Sequence, residues 1–357
     1  MSIRKQTGVT LIELLVGMVI GLAVVGVVAA VYVNSGRNFA QDQQIGRMQE
    51  NARFAMRAIA RDLEMIGFMG AMMLDPKEVM ASVRDCTTSP DNENPVKCGS
   101  YFANSKLLMD SGDDCGPGTD SSPPGNWAYH VRNYVEVVKE SSGSGAETKF
   151  TCIDEDDFQG ATDILVIRRV AGQPLDAARA DSDDDGDVFL RTNGDTGMLL
   201  DYDSTASVPS GLRDWRYLVQ LYYIQDHFMD GGDQIPTLYR KTLNGATMDT
   251  ETGGVAQGIE YVHVMFGVDA YSDGVPDYYK SAKSNPPPNA AELRNAVTAK
   301  IYVLARSIER GVLHTNDKTY QLGDVSKDFS GSPDRFYRRV FSTTVQIRNA
   351  TNQNRLL

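Results

Sequence analysis

Gly8-Val9-Thr10-Leu11-Ile12-Glu13 opens an almost unbroken apolar run that ends at Val33, behind a basic leader of Arg4 and Lys5. Between Val9 and Val33 the only side chain charged at neutral pH is Glu13. As a helix the stretch reaches about 37 Å at ~1.5 Å per residue, enough for a hydrocarbon core of about 30 Å. A carboxylate so early in such a segment is costly to place in lipid and needs a reason. A secretory signal puts a short apolar region ahead of a small-residue cleavage site. Here the apolar region follows the candidate site and is too long for that pattern. A plain membrane anchor explains the hydrophobicity but leaves Glu13 without a role.

The order of basic leader, Gly8, Thr10-Leu11-Ile12-Glu13 and hydrophobic helix resembles the class III signal of type IV prepilins. The resemblance implies that a prepilin peptidase cuts the Gly8–Val9 bond and that the new amino terminus, on Val9, is methylated. Val9 stands where that family usually has Phe, and it remains apolar. In a filament, the amine of an incoming subunit would neutralise a neighbour's Glu13 inside an apolar core. Pairing removes the cost of a lone buried charge. It also fixes axial register, a use to which buried polar groups are put elsewhere. Gly17 and Gly21 form a Gly-x-x-x-Gly pair with Gly26 beyond. That pattern permits close helix approach, although glycine is common in membrane helices generally.

The chain has 357 residues, 41% hydrophobic and 23% charged, which leaves ample length after the anchor for a folded head. Arg4 and Lys5 keep the leader cytoplasmic and send the remainder across the membrane. The net charge is −12, and removal of the leader makes the body more acidic still. Phosphate affinity needs clustered Lys and Arg, so direct nucleic-acid binding is not expected. Cys86, Cys98, Cys115 and Cys152 fall in one window without the paired short spacings that zinc favours. In an oxidising periplasm two disulfides are the better reading. Three pairings are possible, of which Cys86–Cys98 with Cys115–Cys152 is preferred.

Ile45, Met48, Ala52, Ala55, Met56, Ile59, Leu63 and Ile66 recur at three- and four-residue steps, with Arg47, Gln49, Glu50, Arg53, Arg57, Arg61 and Asp62 between them. This is an amphipathic helix with one buried stripe. Gly36 and Gly46 invite a bend or local melting where the chain leaves the membrane. After Pro76, period-two patterns dominate. Strands are expected at 129–139, 163–171, 188–192, 216–225, 237–243, 259–268, 297–307 and 337–348, with a short helix at 290–294. The class is α+β, a long amino-terminal helix packed on an antiparallel sheet head with long disulfide-containing loops. The expected division is a leader at 1–8, a membrane and filament-core helix at 9–33, an amphipathic helix at 34–75 and a periplasmic head at 76–357.

Interior segments strengthen the resemblance. Gln49-Glu50-Asn51-Ala52-Arg53-Phe54-Ala55, Ala60-Arg61-Asp62-Leu63 and Gly67-Phe68-Met69-Gly70 resemble the helix region of PilW-type minor pilins. Val303-Leu304-Ala305-Arg306-Ser307 and Tyr337-Arg338-Arg339-Val340-Phe341-Ser342-Thr343-Thr344-Val345 resemble their closing strands. The resemblance implies a low-copy subunit that helps initiate type IV pili in a tip complex. Its partners would be other minor pilins, the major pilin, a tip adhesin and the inner-membrane assembly platform. Its location would be the inner membrane with a periplasmic head, then the pilus at the cell surface. The J-type minor pseudopilins of type II secretion are the nearest competing class, and this head is larger than theirs. A membrane-tethered periplasmic binding module is the alternative of a different kind.

Asp181-Ser182-Asp183-Asp184-Asp185-Gly186-Asp187 matches the start of a calcium loop, with carboxylates at positions one, three and five and Gly at six. Position twelve is Thr192 rather than a bidentate Glu, so calcium on Asp181, Asp183, Asp185 and Asp187 stands beside an ordinary solvated acidic turn. Asp269, Asp273 and Asp277 form a weaker copy that lacks the third-position carboxylate. His130, His227, His263 and His314 are scattered, and no nucleophile elbow, P-loop or dinucleotide fingerprint is present. An enzyme is not expected, and calcium is the one cofactor the sequence suggests.

Overall fold

A computed structural model describes residues 10–70, 83–84, 115, 127–128, 133–139, 150, 152–153, 158, 162–175, 187–194, 197–201, 208, 210–228, 233–244, 247–250, 253–312 and 314–349. The chain divides into two compact units, Met1–Arg47 and Met48–Leu357. Helix α1 (Leu11–Glu64) supplies all the described secondary structure of the first unit and enters the second. The local melting expected at Gly36 and Gly46 does not occur, because helical structure runs through both. One glycine costs only about 1 kcal/mol, and cooperative propagation from both sides absorbs it.

In the second unit, Met48, Ala52, Ala55, Ile59 and Leu63 of α1 are buried as the periodicity predicts, while Met56 is only half-buried. Asp62 joins them, although the sequence reading set it among the outward polar residues. It lies three positions after Ile59 and seven after Ala55, on the same face of the helix.

The strands are β1 (Val83–Arg84), β2 (Val135–Lys139), β3 (Asp163–Val170), β4 (Val188–Thr192), β5 (Gly197–Asp201), β6 (Arg213–Gln225), β7 (Thr237–Asn244), β8 (Thr247–Thr250), β9 (Ala256–Gln257) and β10 (Ile259–Val268). They continue as β11 (Tyr278–Ser281), β12 (Ala296–Arg306), β13 (Thr319–Leu322), β14 (Val325–Asp328) and β15 (Arg338–Gln346), with α2 (Ala290–Arg294) ahead of β12. Among the described residues, nine strands form one sheet in the order β1-β5-β4-β6-β3-β2, with β7 on β6 and β8 and β9 on β7. The long β6 is its spine: residues 213–216 pair with β4, 217–222 with β3 and 220–225 with β7. Pairing is antiparallel throughout except between the short β1 and β5, which run parallel. A second sheet has the order β11-β10-β12-β15, and β13 and β14 form a separate hairpin. Thr162, just ahead of β3, reaches the second sheet, where its hydroxyl meets the backbone N and O of Val262 at 3.4 Å each.

Buried charge fastens the closing turns of α1 to the large sheet. Asp62 accepts from Arg169 Nη2 of β3 at 2.7 Å and from the Tyr222 hydroxyl of β6. Gln220, with its amide nitrogen turned to the carboxylate, adds another donor. Arg240 of β7 lies against the same tyrosine oxygen at 3.5 Å. Burial, followed by the neighbouring Asp62 charge, pushes the Tyr222 hydroxyl far above its ordinary pKa, so it remains a donor. The helix exit is fixed in the same place. Gly67 at φ +73 leaves the helical conformation, and the Phe68 carbonyl accepts from Val170 N at 3.1 Å. Gly70, at φ +70, lies so close to the Trp215 ring that a Cβ there would stand 2.7 Å from it.

A second buried group joins β3 to β2 and to the residues just ahead of it. Arg168, fully buried on β3, donates to Asn133 O at 2.6 Å, Glu136 Oε1 at 2.8 Å and Trp127 O at 3.1 Å. Its guanidinium lies over the Trp127 ring at 4.5 Å, and that ring packs edge-on against Phe150 at 5.4 Å. Two residues after Phe150, Cys152 is bonded to Cys115. Cys86 and Cys98 lie outside the described residues.

Two stability measurements test this scheme on the full chain in detergent. Asp62→Ala strands Arg169 in the interior and is expected to lower unfolding free energy by about 3–5 kcal/mol, read from the urea midpoint; Arg53→Ala, on the exposed face, should change it little. Replacing both Cys115 and Cys152 by Ser opens a closure of 37 residues. The expected loss is about 4 kcal/mol by the chain-entropy relation, and a matching fall should follow reduction of the unmodified protein.

Candidate functional site: the amino-terminal helix

The start of α1 is set by a reciprocal hydrogen-bonded cap. Glu13 Oε2 accepts from Thr10 N and from Thr10 Oγ1, both at 2.9 Å, while Glu13 N donates to Thr10 Oγ1 at 3.4 Å. This satisfies donors that a helix terminus leaves without intrahelical partners. The carboxylate that the sequence places in an apolar helix is therefore held one turn from the helix start by its own chain. The signal was in the spacing: Thr10-x-x-Glu13 before an apolar run is a capping box.

Beyond the cap, every large apolar side chain from Leu11 to Val33 is exposed. By length and composition α1 is able to cross a membrane. At Gly17, Gly21 and Gly26 an added Cβ would meet nothing within 4 Å. These glycines therefore leave open space beside the helix.

Gly8 and Val9, the expected cleavage and methylation positions, lie outside the described residues. So do Asp181, Asp183 and Asp185 of the first calcium-like loop. Asp187 of that loop is buried and ion-paired to Arg216 at 2.5 Å. In the second loop the carboxylates turn inward to the backbone. Asp269 accepts from Asp273 N at 3.2 Å and Gly274 N at 2.7 Å, Asp277 from Ala270 N at 2.7 Å, and Asp273 from Val275 N at 2.9 Å. Among the described residues no group of three or more His, Cys, Asp or Glu is placed to hold a metal ion. The oxygens of Asp269, Asp273 and Asp277 thus accept from backbone N–H groups inside their own loop.

The histidines occupy unrelated positions. His227 Nδ1 contacts Asp226 at 2.7 Å, and His314 stacks on Tyr337 with ring centroids 4.2 Å apart. His263 is fully buried, and both of its ring nitrogens face carboxylates. His130 lies outside the described residues.

Comparison with known proteins bears on both ends of the chain. No curated protein sequence matches it. A solved type IV-like pilin from Thermus thermophilus aligns at 11% identity over 62% of this chain and 90% of that one, with a TM-score of 0.25, and nothing is inferred from it. Two family models match: residues 3–29 fit the prokaryotic N-terminal methylation motif, around the capped Glu13, and residues 221–349, from the end of β6 through β15, fit the type IV pilus-assembly protein W family.

Proposed function

We propose that the chain is a minor pilin of the PilW type that takes part in initiating and assembling type IV pili. The observation that carries this reading is the uncovered apolar helix with its single capped carboxylate, in a chain matched at one end by a methylation motif and at the other by a pilus-assembly family. The role is structural rather than catalytic. An exposed stripe of this length is stable only in lipid or against other apolar helices. The same surface thus serves first as a membrane span and then as a filament-core element.

In this scheme a prepilin peptidase cleaves between Gly8 and Val9, Val9 is methylated, and the head lies on the periplasmic side until the subunit leaves the membrane. Glu13 begins with Thr10 as its partner. Hydrogen bonds from a backbone N–H and a hydroxyl satisfy the carboxylate but leave its charge uncompensated. A protonated amine from an incoming subunit supplies both the donors and the opposite charge, which the neutral amide and hydroxyl of Thr10 cannot provide. Exchange of Thr10 for that amine gives the assembly step its direction. Other minor pilins, the major pilin, a tip adhesin and the assembly platform are the partners such a step requires.

Piliation of a deletion strain, counted by electron microscopy, is the primary test: surface pili should be lost or sharply reduced. Complementation with Glu13→Ala should give a protein that inserts and is cleaved normally yet is missing from sheared fibres. Normal piliation of the deletion strain would overturn the assembly role. Normal recovery of the Glu13→Ala protein in fibres would overturn the charge pairing alone.

A further inference from the structure

His263 of β10 is fully buried, and its two ring nitrogens point at carboxylates from two other parts of the head. Nδ1 lies 2.7 Å from Asp163 Oδ2, at the first residue of β3 in the nine-stranded sheet. Nε2 lies 2.6 Å from Asp324 Oδ1, in the turn between β13 and β14. One side chain thus ties together the two main sheets and the separate hairpin. Where both carboxylates are ionised they only accept, so both nitrogens donate and the ring is an imidazolium.

We propose that Asp163, His263 and Asp324 form a protonation-dependent latch that fastens the β13–β14 hairpin over the four-stranded sheet and lets it go when the imidazole becomes neutral. Neutral imidazole has one donor, so its other nitrogen would present a lone pair to a carboxylate in a dry site. The Asp324 end yields, because its side chain is 34% exposed whereas that of Asp163 is 1% exposed. Beneath the hairpin, Leu322 and Val325 pack on Tyr261 and Leu304. Release would uncover that apolar patch.

The surrounding groups are consistent with this assignment. Asp163 Oδ2 also accepts from Val264 N at 3.3 Å. Asp324 Oδ2 accepts from Ser281 Oγ at 2.8 Å, and its backbone carbonyl from Lys283 Nζ at 3.3 Å. The Tyr261 and Tyr302 rings flank the imidazole at 6.4 and 6.3 Å, and the Lys327 ammonium lies 4.1 Å from the Tyr261 centroid. Burial pulls the His263 pKa down, but the hydrogen bond and charge of Asp163, then those of Asp324, outweigh it and hold the value above 6.5. Burial likewise opposes ionisation of Asp324, and Ser281 and His263 overcome it to hold its pKa below 3.8. A raised histidine contributes stability that is complete below its unfolded pKa and is lost as pH rises through the folded one. A depressed aspartate contributes stability above its unfolded pKa and loses it as pH falls through the folded one. The latch therefore holds between the lowered Asp324 pKa and the raised His263 pKa, and opens on the alkaline side by loss of the imidazolium proton.

The test uses the full chain in detergent micelles from pH 5 to 9, following the His263 ring by NMR and amide exchange of Thr319–Asp328, corrected for intrinsic exchange rates. His263 should titrate above 6.5, and hairpin protection should fall about tenfold or more over the same interval, the factor equivalent to one pKa unit, while β12 stays protected. Asp324→Asn should move the His263 titration downward, and His263→Gln should make hairpin protection independent of pH. If His263→Gln does not fold, Asp324→Asn alone decides. A His263 titration at or below 6.5, constant hairpin protection through it, or an unchanged titration in Asp324→Asn would overturn the latch.

Discussion

The head depends on a carboxylate buried on its helix. Asp62 meets Arg169, Tyr222 and Gln220 where apolar packing alone would have left the helix free to slide or rotate along its stripe of Met and Ala. Apolar contact has no direction, whereas a charge in a dry interior tolerates few positions. Hydrophobic residues of similar size would hold the helix about as tightly. The ionic network adds a fixed register between α1, β3 and β6. The helix exit through Gly67, Phe68 and Gly70 is aligned on that register, since Phe68 joins Val170, the residue after Arg169.

The same helix carries a second isolated carboxylate with the opposite arrangement. Glu13 is exposed, and its partners are the hydroxyl and amide of Thr10 within one turn. Asp62 is satisfied from across the fold, which makes it a permanent fixture. Glu13 is satisfied locally by neutral donors, which can be exchanged for a stronger partner without unfolding anything. This difference separates a group that holds a structure together from one suited to join a second molecule.

Much of this architecture is legible from periodicity. The apolar helix, the stripe from Met48 to Leu63, strands such as β4 and β10, and the short helix α2 follow directly from spacing. What escaped are short strands whose existence depends on a neighbour: β1, β8, β9, β11 and the β13–β14 hairpin carry too few residues for a pattern, and pairing alone defines them. Asp62 escaped for another reason. Its position on the buried face was computable, but its polarity argued the other way until Arg169 and Tyr222, distant in sequence, came into view. The capping role of Glu13 was readable from Thr10-x-x-Glu13, whereas the pairing of His263 with Asp163 and Asp324 is visible only once three elements are assembled.

Asp62 is 107 residues from Arg169 and 160 from Tyr222 along the chain. Contacts so far apart close late, because the entropy of the intervening loop must be overcome first. A polypeptide that emerges amino terminus first therefore presents α1, with its greasy stripe and an unpaired acid, well before β6 has been made. During biogenesis that helix needs a temporary host, such as the membrane surface or a holding chaperone, and folding of the head is what retrieves it.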